Sequence, residues 1–420
     1  MLLTDLLNVD DAIERILAAV TTLPAERVPL TTALHRVLTH SIYSDINLPP
    51  FANSSMDGYA VRAADVSAAN ANTPVTLRVV ADIPAGSAPT TVIQKGEAAR
   101  IMTGAPMPEG ADAVVPVEQT DSDWRDSEEA TLPETVQIYQ AVTAGDYVRP
   151  VGENVREGQQ ILDAGTIIRP QDIGMLAALG VGQVDVVRRP RVAIISTGDE
   201  LVDVDMPLTP GKIRDSNSYT IAALAMQYDA DAIRLPIAGD TLDEVRECFQ
   251  QALESNPDVI ISSAGVSVGT FDVVRTVLNE LGEVNFWRVN LRPGKPLAFG
   301  NLQKRPFFGL PGNPVSVMVT FDLFVRPVLL KLAGKPATVP MVKAATAVAM
   351  DSDGRRSYIR VKLVKDGDRL IAQTTGTQSS GALMSMVMAD GLLIIPEGMT
   401  HVPAGTELPV RLLRDVIAEN

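Results

Sequence analysis

The feature of this sequence that most constrains its fold is a repeated alternation of apolar strands and amphipathic helices between residues 190 and 334. The predicted strands cover 191–196, 232–237, 258–263 and 306–309, and the predicted helices cover 241–255, 271–281 and 314–332. Thr241 and Glu244 form a capping box at the start of the first of these helices. Continuous apolar strands that alternate with helices are typical of a parallel sheet covered on both faces. The region therefore predicts a doubly wound α/β domain.

The rest of the chain follows other patterns. Two further helices are predicted, one at 10–20 with an aspartate as its cap and one at 170–180. Residues 51–150 are rich in Gly, Pro and β-branched residues, which favours strands and turns, and 341–420 predict a small β domain. By composition the chain divides into 1–50 together with 151–189, then 51–150, 190–338 and 339–420.

Glycines and carboxylates follow the predicted strands of the α/β region. The first strand is followed by Gly198-Asp199-Glu200, the second by Gly239-Asp240, and the third by the glycine-containing segment 264–269 with Asp272 beyond it. In open parallel sheets, ligands bind beyond the carboxyl ends of the strands. We therefore expect these carboxylates to hold Mg²⁺, a cation usually shared between protein carboxylates and substrate phosphates.

An anion site is predicted beside these carboxylates. Backbone N–H groups from Gly265 to Gly269 would line it, with hydroxyl donors from Ser262, Ser263 and Ser267. Each loop taken alone has a simpler explanation, because Asp and Gly also cap helices and form turns. The coincidence at three strand ends favours a ligand site. Since neither a P-loop motif nor a dinucleotide-binding GxGxxG is present, ordinary ATPase and NAD chemistry are disfavoured.

Composition limits the partners of this chain. With 36 Lys and Arg against 51 Asp and Glu, the formal net charge is −15, and aromatic residues make up only 4%. Nucleic-acid binding needs a basic surface and, for single strands, stacking aromatics, so we expect no nucleic-acid partner. No apolar run approaches the roughly 20 residues of a membrane-spanning helix, so we expect no membrane partner and a cytoplasmic location. The single Cys248 permits no intramolecular disulfide.

One segment reverses the overall charge. Residues 284–321 contain no Asp or Glu, but they contain five basic residues: Arg288, Arg292, Lys295, Lys304 and Arg305. A solvated basic edge strand would explain this segment taken alone. Beside the anion loop, and with further basic residues near 355–362, it predicts a second anion site. A small polyanionic molecule is the expected ligand.

Several motifs, taken in order along nearly the whole chain, resemble the molybdopterin molybdenumtransferase family of MoeA proteins, which is related to the gephyrin E domain. The matching motifs are Asn53 to Ala60, Arg100 to Pro106, Val151 to Val155, Ser196 to Leu201, Ser262 to Gly269, Arg292 to Pro296, and Gly309 to Ser316. The resemblance implies an enzyme of molybdenum cofactor biosynthesis that inserts molybdate into adenylylated molybdopterin with Mg²⁺-dependent release of AMP. It implies a homodimer that works beside a molybdopterin adenylyltransferase.

The resemblance also implies four domains. These are a helical hinge domain (1–50 and 151–189), a β insertion (51–150), a molybdopterin-binding α/β domain (190–338) and a C-terminal β-barrel (339–420).

Residue roles carried over from the family fall into three groups. Asp57, Thr103, Glu200, Asp240 and Asp272 match catalytic positions, and the last three of them match the expected Mg²⁺ ligands. Arg288, Arg292, Lys295, Arg360 and Ser380 match or lie beside the proposed molybdate pocket. The remaining substrate-binding positions are Arg149, Ser263, Gly265, Ser267, Pro311, Gly312 and Asn313.

Two other functions remain open at this point. A molybdopterin adenylyltransferase shares the α/β domain, but such enzymes typically lack the β insertion and the C-terminal domain. A gephyrin-like scaffold would use the same fold for clustering, but this sequence carries no fused linker or partner domain. The first alternative consumes ATP, whereas the proposed enzyme releases AMP.

Overall fold

The computed structural model describes residues 6–122, 131–263 and 271–413, without the side chains of Phe271, Asp272 and Phe286. Contacts divide the chain into two compact units. The first combines Met1–Thr39 with Val184–Asn420, and the second is His40–Gln183. Residues 118–134 carry seven Asp and Glu against one Arg, which predicts a solvated loop, and this segment lies partly outside the described residues. The four-domain division stays a prediction.

A six-stranded sheet forms the centre of the first unit. Its strands, in spatial order, are Asp231–Arg234, Arg191–Ser196, Val259–Ser263, Arg305–Leu310, Pro296–Leu302 and Gly282–Arg288. The first four are mutually parallel, as predicted, but Pro296–Leu302 runs antiparallel to both of its neighbours. The sheet is therefore mixed, because residues 296–310 form a hairpin that the strand–helix pattern did not reveal.

Helices cover both faces of this sheet, which confirms the doubly wound α/β fold. Side chains alternate along each strand, so Val192 and Ile194 enter one core whereas Ala193 and Ile195 enter another. The helices of the first unit are Val9–Ala18, Ser216–Gln227, Leu242–Glu254, Phe271–Leu281, Pro314–Thr320, Arg326–Leu332 and Leu383–Val387. The predicted capping box is present only in part: the Thr241 hydroxyl accepts from the Glu244 N–H, but the Glu244 carboxylate accepts from that hydroxyl in place of the Thr241 backbone N–H.

Two local predictions about helices need correction. The first helix is capped by Asn8, whose side chain accepts from the N–H groups of Asp10 and Asp11, so these aspartates occupy the first turn and do not cap it. The segment 314–332 is helical throughout but contains a wider π-type turn at Phe321–Val325. This irregular turn accommodates a proline that a regular helix interior would not tolerate.

A closed five-stranded barrel forms the C-terminal part of the first unit, as predicted. Arg356–Asp366, Arg369–Thr374, Met341–Thr346, Glu407–Leu412 and Gly391–Ile395 pair in this order, and the last strand pairs with the first. The short strand Leu291–Arg292 joins the barrel edge beside Arg356 and Ser357. The α/β and barrel parts therefore share backbone hydrogen bonding.

The second unit contains the predicted β-rich segment. Its main sheet has the spatial order Ala113–Pro116, Gly58–Val61, Glu97–Ile101, Val75–Ile83 and Thr135–Ile138. Shorter strands are Ile42–Tyr43, Asn53–Ser54, Val148–Arg149 and Gln160–Leu162, and the helices are Ala63–Val66 and Pro170–Ala178. Among the described residues, no helix has the length and apolarity needed to span a bilayer.

Candidate functional site

The carboxyl edge of the six-stranded sheet contains a topological switch point. From Arg191–Ser196 the chain moves to the outer strand Asp231–Arg234 and then returns to Val259–Ser263 on the other side. Loops on either side of such a point diverge and leave a crevice between them. The buried hydroxyls of Ser196 and Ser263 meet there at 3.4 Å, and the buried Oγ1 of Thr197 has no hydrogen-bond partner. The crevice is therefore lined by polar groups that the described residues leave unsatisfied.

Two aspartates join the loops after the first two strands. The Asp199 carboxylate accepts from the Asp240 N–H at 3.2 Å, and the Asp240 carboxylate accepts from the Asp199 N–H at 3.3 Å. A β-bridge between Thr197 and Ala238 holds the two loops in register. This reciprocal pairing fixes the backbone of both loops and leaves one carboxylate oxygen of each aspartate for other partners.

Asp240 has an unusual electrostatic environment. Burial raises the pKa of its carboxyl group, and the neighbouring carboxylates of Asp199, Glu200 and Glu244 add to this increase, against the opposing effect of the Asp199 N–H. Its Oδ1 atom is buried and has no hydrogen-bond partner. A buried acceptor without a donor is costly, so this oxygen has the character expected of a cation ligand.

Two further carboxylates, those of Glu200 and Glu244, lie close to the glycines of the strand-end motifs. A Cβ on Gly198 would lie 2.6 Å from Glu200 Oε2, and a Cβ on Gly239 would lie 2.6 Å from Glu244 Oε2. Gly198 also has a φ of +146°, which side-chain-bearing residues rarely adopt. A side chain at either glycine would therefore displace the end of a glutamate side chain.

Sequence reasoning missed several polar residues at this edge. Asp199 was visible in the Gly198-Asp199-Glu200 motif but was not selected. Asp215, 2% exposed, caps the helix Ser216–Gln227 with one oxygen, and its Oδ2 is buried without a partner. Asn217 donates to the Gly312 carbonyl at 2.8 Å, and its Oδ1 also lacks a partner. The helix Ser216–Gln227 was not predicted from the sequence, so no signal pointed to these two residues.

The strand end at Pro311, Gly312 and Asn313 lies on the same edge, because it follows the parallel strand Arg305–Leu310. Just beyond it, the Val315 N–H donates to the Ser380 carbonyl at 3.1 Å. This bond brings a loop of the barrel to the start of the helix Pro314–Thr320. The predicted substrate-binding residues of the two parts are therefore neighbours.

Arg360 lies in the barrel and is 1% exposed. Its guanidinium donates to Ser385 Oγ at 3.1 Å and to the Ser379 carbonyl at 3.0 Å, and it makes no ion pair with a described carboxylate. Arg360 alternates with Val361 and Leu363 of the barrel core, so it lies on the outer face of the barrel, where packing against the α/β part buries it. Burial lowers the pKa of Arg360 to about 10, and the nearby positive charge of Arg292 contributes.

Arg360 and Arg292 line a cavity of about 280 Å³ together with residues of the barrel. The neighbouring arginines are satisfied elsewhere. Arg355 is paired with Asp353, and Arg356 forms two 2.7 Å hydrogen bonds with Asp10. Of these three barrel arginines, Arg360 is the one without a described carboxylate partner, although Asp351, which pairs with His401, also lines the cavity.

The basic segment 284–321 divides between two ends of the sheet. Arg288 and Lys295 lie at the carboxyl edge, at the adjoining ends of an antiparallel strand pair. Lys304 and Arg305 lie at the opposite edge, where Arg305 donates to Asn256 and to the Pro257 carbonyl. The sequence treated all five charges as one surface. The hairpin reverses the chain between them, so Lys304 and Arg305 lie apart from the other three.

The second unit contains its own group of predicted site residues. Asp57 Oδ1 accepts two hydrogen bonds of 2.7 Å, one from the Thr103 N–H and one from the Thr103 hydroxyl. Arg149 is exposed, on a strand that pairs with Asn53. The structure therefore brings Asp57 and Thr103 together within this unit.

Some predicted residues lie outside the description. Gly265 and Ser267 are not among the described residues, and Asp272 is described only as the second residue of the helix Phe271–Leu281. Among the described side chains, no group of three or more His, Cys, Asp or Glu is arranged to hold a metal ion.

Comparisons with known proteins cover almost all of this chain. Residues 7–180 match the MoeA N-terminal region (domains I and II), 193–331 match a probable molybdopterin-binding domain, and 343–413 match the MoeA C-terminal region (domain IV). A molybdopterin molybdenumtransferase of Nostoc is 41% identical over 395 residues, covering 92% of this chain and 88% of the relative. Molybdopterin molybdenumtransferase 2 of Mycobacterium tuberculosis is 39% identical, covering 91% of this chain and 94% of the relative.

A solved structure is similar over the same length. The molybdopterin biosynthesis MoeA protein of Pyrococcus horikoshii is 32% identical and superposes with a TM-score of 0.81. The match covers 98% of this chain and 100% of that protein.

Proposed function

This chain belongs to the molybdopterin molybdenumtransferase family, and from that premise we propose that it inserts molybdate into adenylylated molybdopterin with Mg²⁺-dependent release of AMP. It is a transferase of molybdenum cofactor biosynthesis. The observation that carries the proposal is the buried Arg360 guanidinium, which has no described carboxylate partner and lines a cavity beside Arg292. A small dianion such as molybdate would supply the negatively charged partner that Arg360 lacks.

The cationic residues bind and orient molybdate. Arg360 Nε and Nη2 donate to Ser385 Oγ and to the carbonyls of Thr377 and Ser379, which holds the guanidinium in place, while Arg292 and Lys295 add charge from the α/β part. Arg288 and Ser380 complete the proposed set. Because Arg360 is desolvated, an anion beside it interacts more strongly than it would with an exposed arginine.

The acidic residues at the sheet edge hold the cation. Glu200, Asp240 and Asp272 are the proposed ligands, and the unpartnered Oδ1 of Asp240 supports this assignment. Mg²⁺, when bound there with the substrate, supplies charge neutralisation for the pyrophosphate that links AMP to molybdopterin. Two features position the carboxylates at this edge. One is the reciprocal pairing of Asp199 with Asp240, and the other is the close contact of Glu200 with Gly198 and of Glu244 with Gly239. Asp240 or Asp272 orients the attacking water.

The substrate lies against both parts of the first unit. Its phosphates are placed at the strand ends around Ser263, Gly265 and Ser267, and Pro311, Gly312 and Asn313 line the neighbouring strand end. Asp57, Thr103 and Arg149 are proposed to act from the second unit. We also propose a cytoplasmic homodimer that receives its substrate from a molybdopterin adenylyltransferase.

The decisive test is incubation of the full-length protein with adenylylated molybdopterin, molybdate and MgCl₂. AMP and active molybdenum cofactor should form together, and omission of either molybdate or Mg²⁺ should stop cofactor formation. ATP consumption with adenylylation of molybdopterin would identify the protein as an adenylyltransferase instead. Light scattering of the purified protein tests the homodimer, since a monomer at micromolar concentration would contradict it.

A further inference from the structure

The last helical segment of the α/β part, residues 314–332, contains one backbone carbonyl that receives no helical hydrogen bond. In its π-type turn, the Arg326 N–H donates to the Phe321 carbonyl, five residues back. A regular helix would direct this N–H to the Asp322 carbonyl, and a continued π-turn would use the N–H of residue 327, which is a proline and has none. The Asp322 carbonyl is therefore left without a donor from its own helix.

A residue of the barrel donates to this carbonyl. Arg411 Nη2 donates to the Asp322 carbonyl at 2.7 Å, and Arg411 Nε forms an ion pair with the Asp322 carboxylate. Both side chains are only 12% exposed. Arg326 lies on the other side of the carboxylate, with Nη1 3.9 Å from Oδ1. One guanidinium fork thus binds a backbone carbonyl and a carboxylate together, a geometry that lysine cannot reproduce.

The strand register links this contact to the anion cavity. Arg411 lies opposite Leu392, and Leu392 lies opposite Arg360 on the next strand. Residues directly opposite each other point to the same face of a sheet, so Arg360 and Arg411 share one face, about 10 Å apart. Leu392 between them is fully buried in the core of the α/β part. The barrel therefore docks through the same row of residues that carries Arg360.

We propose that Asp322 and Arg411 are positioning residues that lock the barrel onto the α/β part and thereby place Arg360 for molybdate binding. This inference rests on the proposed function, in which Arg360 binds molybdate. The π-type turn and Pro327 leave the Asp322 carbonyl without a helical donor, and Arg411 donates to it. A displacement of about 1 Å at a reacting group can change rates on the order of 100-fold, so a loosened barrel should be measurable in kinetics.

The test is Arg411→Gln in the full-length enzyme, with AMP release measured against molybdate concentration. We expect the KM for molybdate to rise at least tenfold, with a much smaller change in the KM for adenylylated molybdopterin. Arg411→Lys keeps the charge beside Asp322 but loses the fork, so its KM should be intermediate. A variant with a lower melting temperature but an unchanged KM for molybdate would reduce Arg411 to a purely structural role and overturn the proposal.

Arg188→Gln is the matched control. It removes another paired arginine of the first unit, which binds Asp258 with distances of 2.7 and 2.9 Å at the opposite edge of the sheet. This variant should lose stability but keep its KM for molybdate. If its KM rises as much as that of Arg411→Gln, general destabilisation explains both results and the proposal is overturned.

Arg360→Gln in the same assay separates this inference from the proposed function. If Arg360→Gln raises the KM for molybdate and Arg411→Gln does not, the inference fails alone. If Arg360→Gln leaves the KM unchanged, the molybdate site fails. Amide hydrogen exchange in Gly391–Ile395 then tests whether the Arg411–Asp322 contact holds the barrel in place. Faster exchange in Arg411→Gln supports this role, and unchanged exchange overturns it.

Discussion

Replacing Asp240 by Asn tests the acidic half of the site with a nearly isosteric change. The Asn side-chain oxygen can still accept from the Asp199 N–H, so the pairing of the two loops should survive. The amide group would replace the unpartnered Oδ1 with a donor, facing a region that contains the carboxylates of Glu200 and Glu244. The variant should therefore remove the negative charge of the side chain while it keeps the fold of the two loops.

The structure gives the expected magnitudes. Removing one charge from this cluster relieves like-charge repulsion, which is worth about 0.2–1 kcal/mol for partly exposed groups, so metal-free stability should increase slightly. Because the pKa of Asp240 is raised in the folded state, ionisation destabilises the native protein, and wild-type stability should fall as pH rises through that pKa. The variant should lack this dependence. Its AMP release should drop at least about 100-fold, or roughly 2.7 kcal/mol in activation free energy.

The assay combines AMP release with thermal unfolding, with and without MgCl₂. Asp243→Asn is the control, since its carboxylate is 95% exposed on the helix Leu242–Glu254 that follows Asp240, and it pairs with Arg246. The control should keep wild-type activity. An Asp240→Asn protein that releases AMP within about threefold of the wild-type rate would refute the assignment of Asp240 to the cation site. Loss of several degrees of melting temperature would show that the carboxylate is structural.

Three further predictions concern the two halves of the site. Arg360→Gln should weaken molybdate binding by about 10- to 100-fold in calorimetry, because a charged hydrogen bond contributes about 1.5–3 kcal/mol, whereas the same change at the exposed Arg369 should have no effect. The kcat/KM for molybdate should fall as pH rises through about 10, the lowered pKa of Arg360. Over the same range the stability of the anion-free protein should rise, because the buried charge is lost. A kcat/KM profile that is flat to about pH 11 would contradict this prediction. Gly198→Ala should reduce AMP release at least tenfold by displacing Glu200, while Gly211→Ala, with a φ of +83° but no atom near the new Cβ, should cost only stability.

Several parts of the molecule followed directly from the sequence. The strand 191–196 is correct to the residue, and Thr241 caps its helix as predicted, because both depend on contacts within a few positions of the chain. The acidic strand ends were also predictable. Parallel strands direct their carboxyl ends to one edge, so Glu200 and Asp240 had to lie on the same side of the sheet.

The arginines show where local pattern was insufficient. Alternation placed Arg360 outward on its strand, but the barrel docks on the α/β part and buries that residue. Lys304 and Arg305 shared the acid-free segment with Lys295, yet the hairpin carries them to the opposite edge. Net charge along a segment does not record chain reversal, so the sequence overestimated the anion surface.

The sequence by itself determined the strand–helix order, the β character of the flanking segments, and the residue types gathered at the strand ends, since hydrophobic period and turn chemistry are local properties. Only the tertiary structure decided which charges remain unpaired. Arg355 and Arg356 meet carboxylates, whereas Arg360 meets carbonyl and hydroxyl groups, because each partner comes from a distant part of the chain. Burial and pairing are set by packing between elements, and that packing distinguishes the anion site from ordinary surface charge.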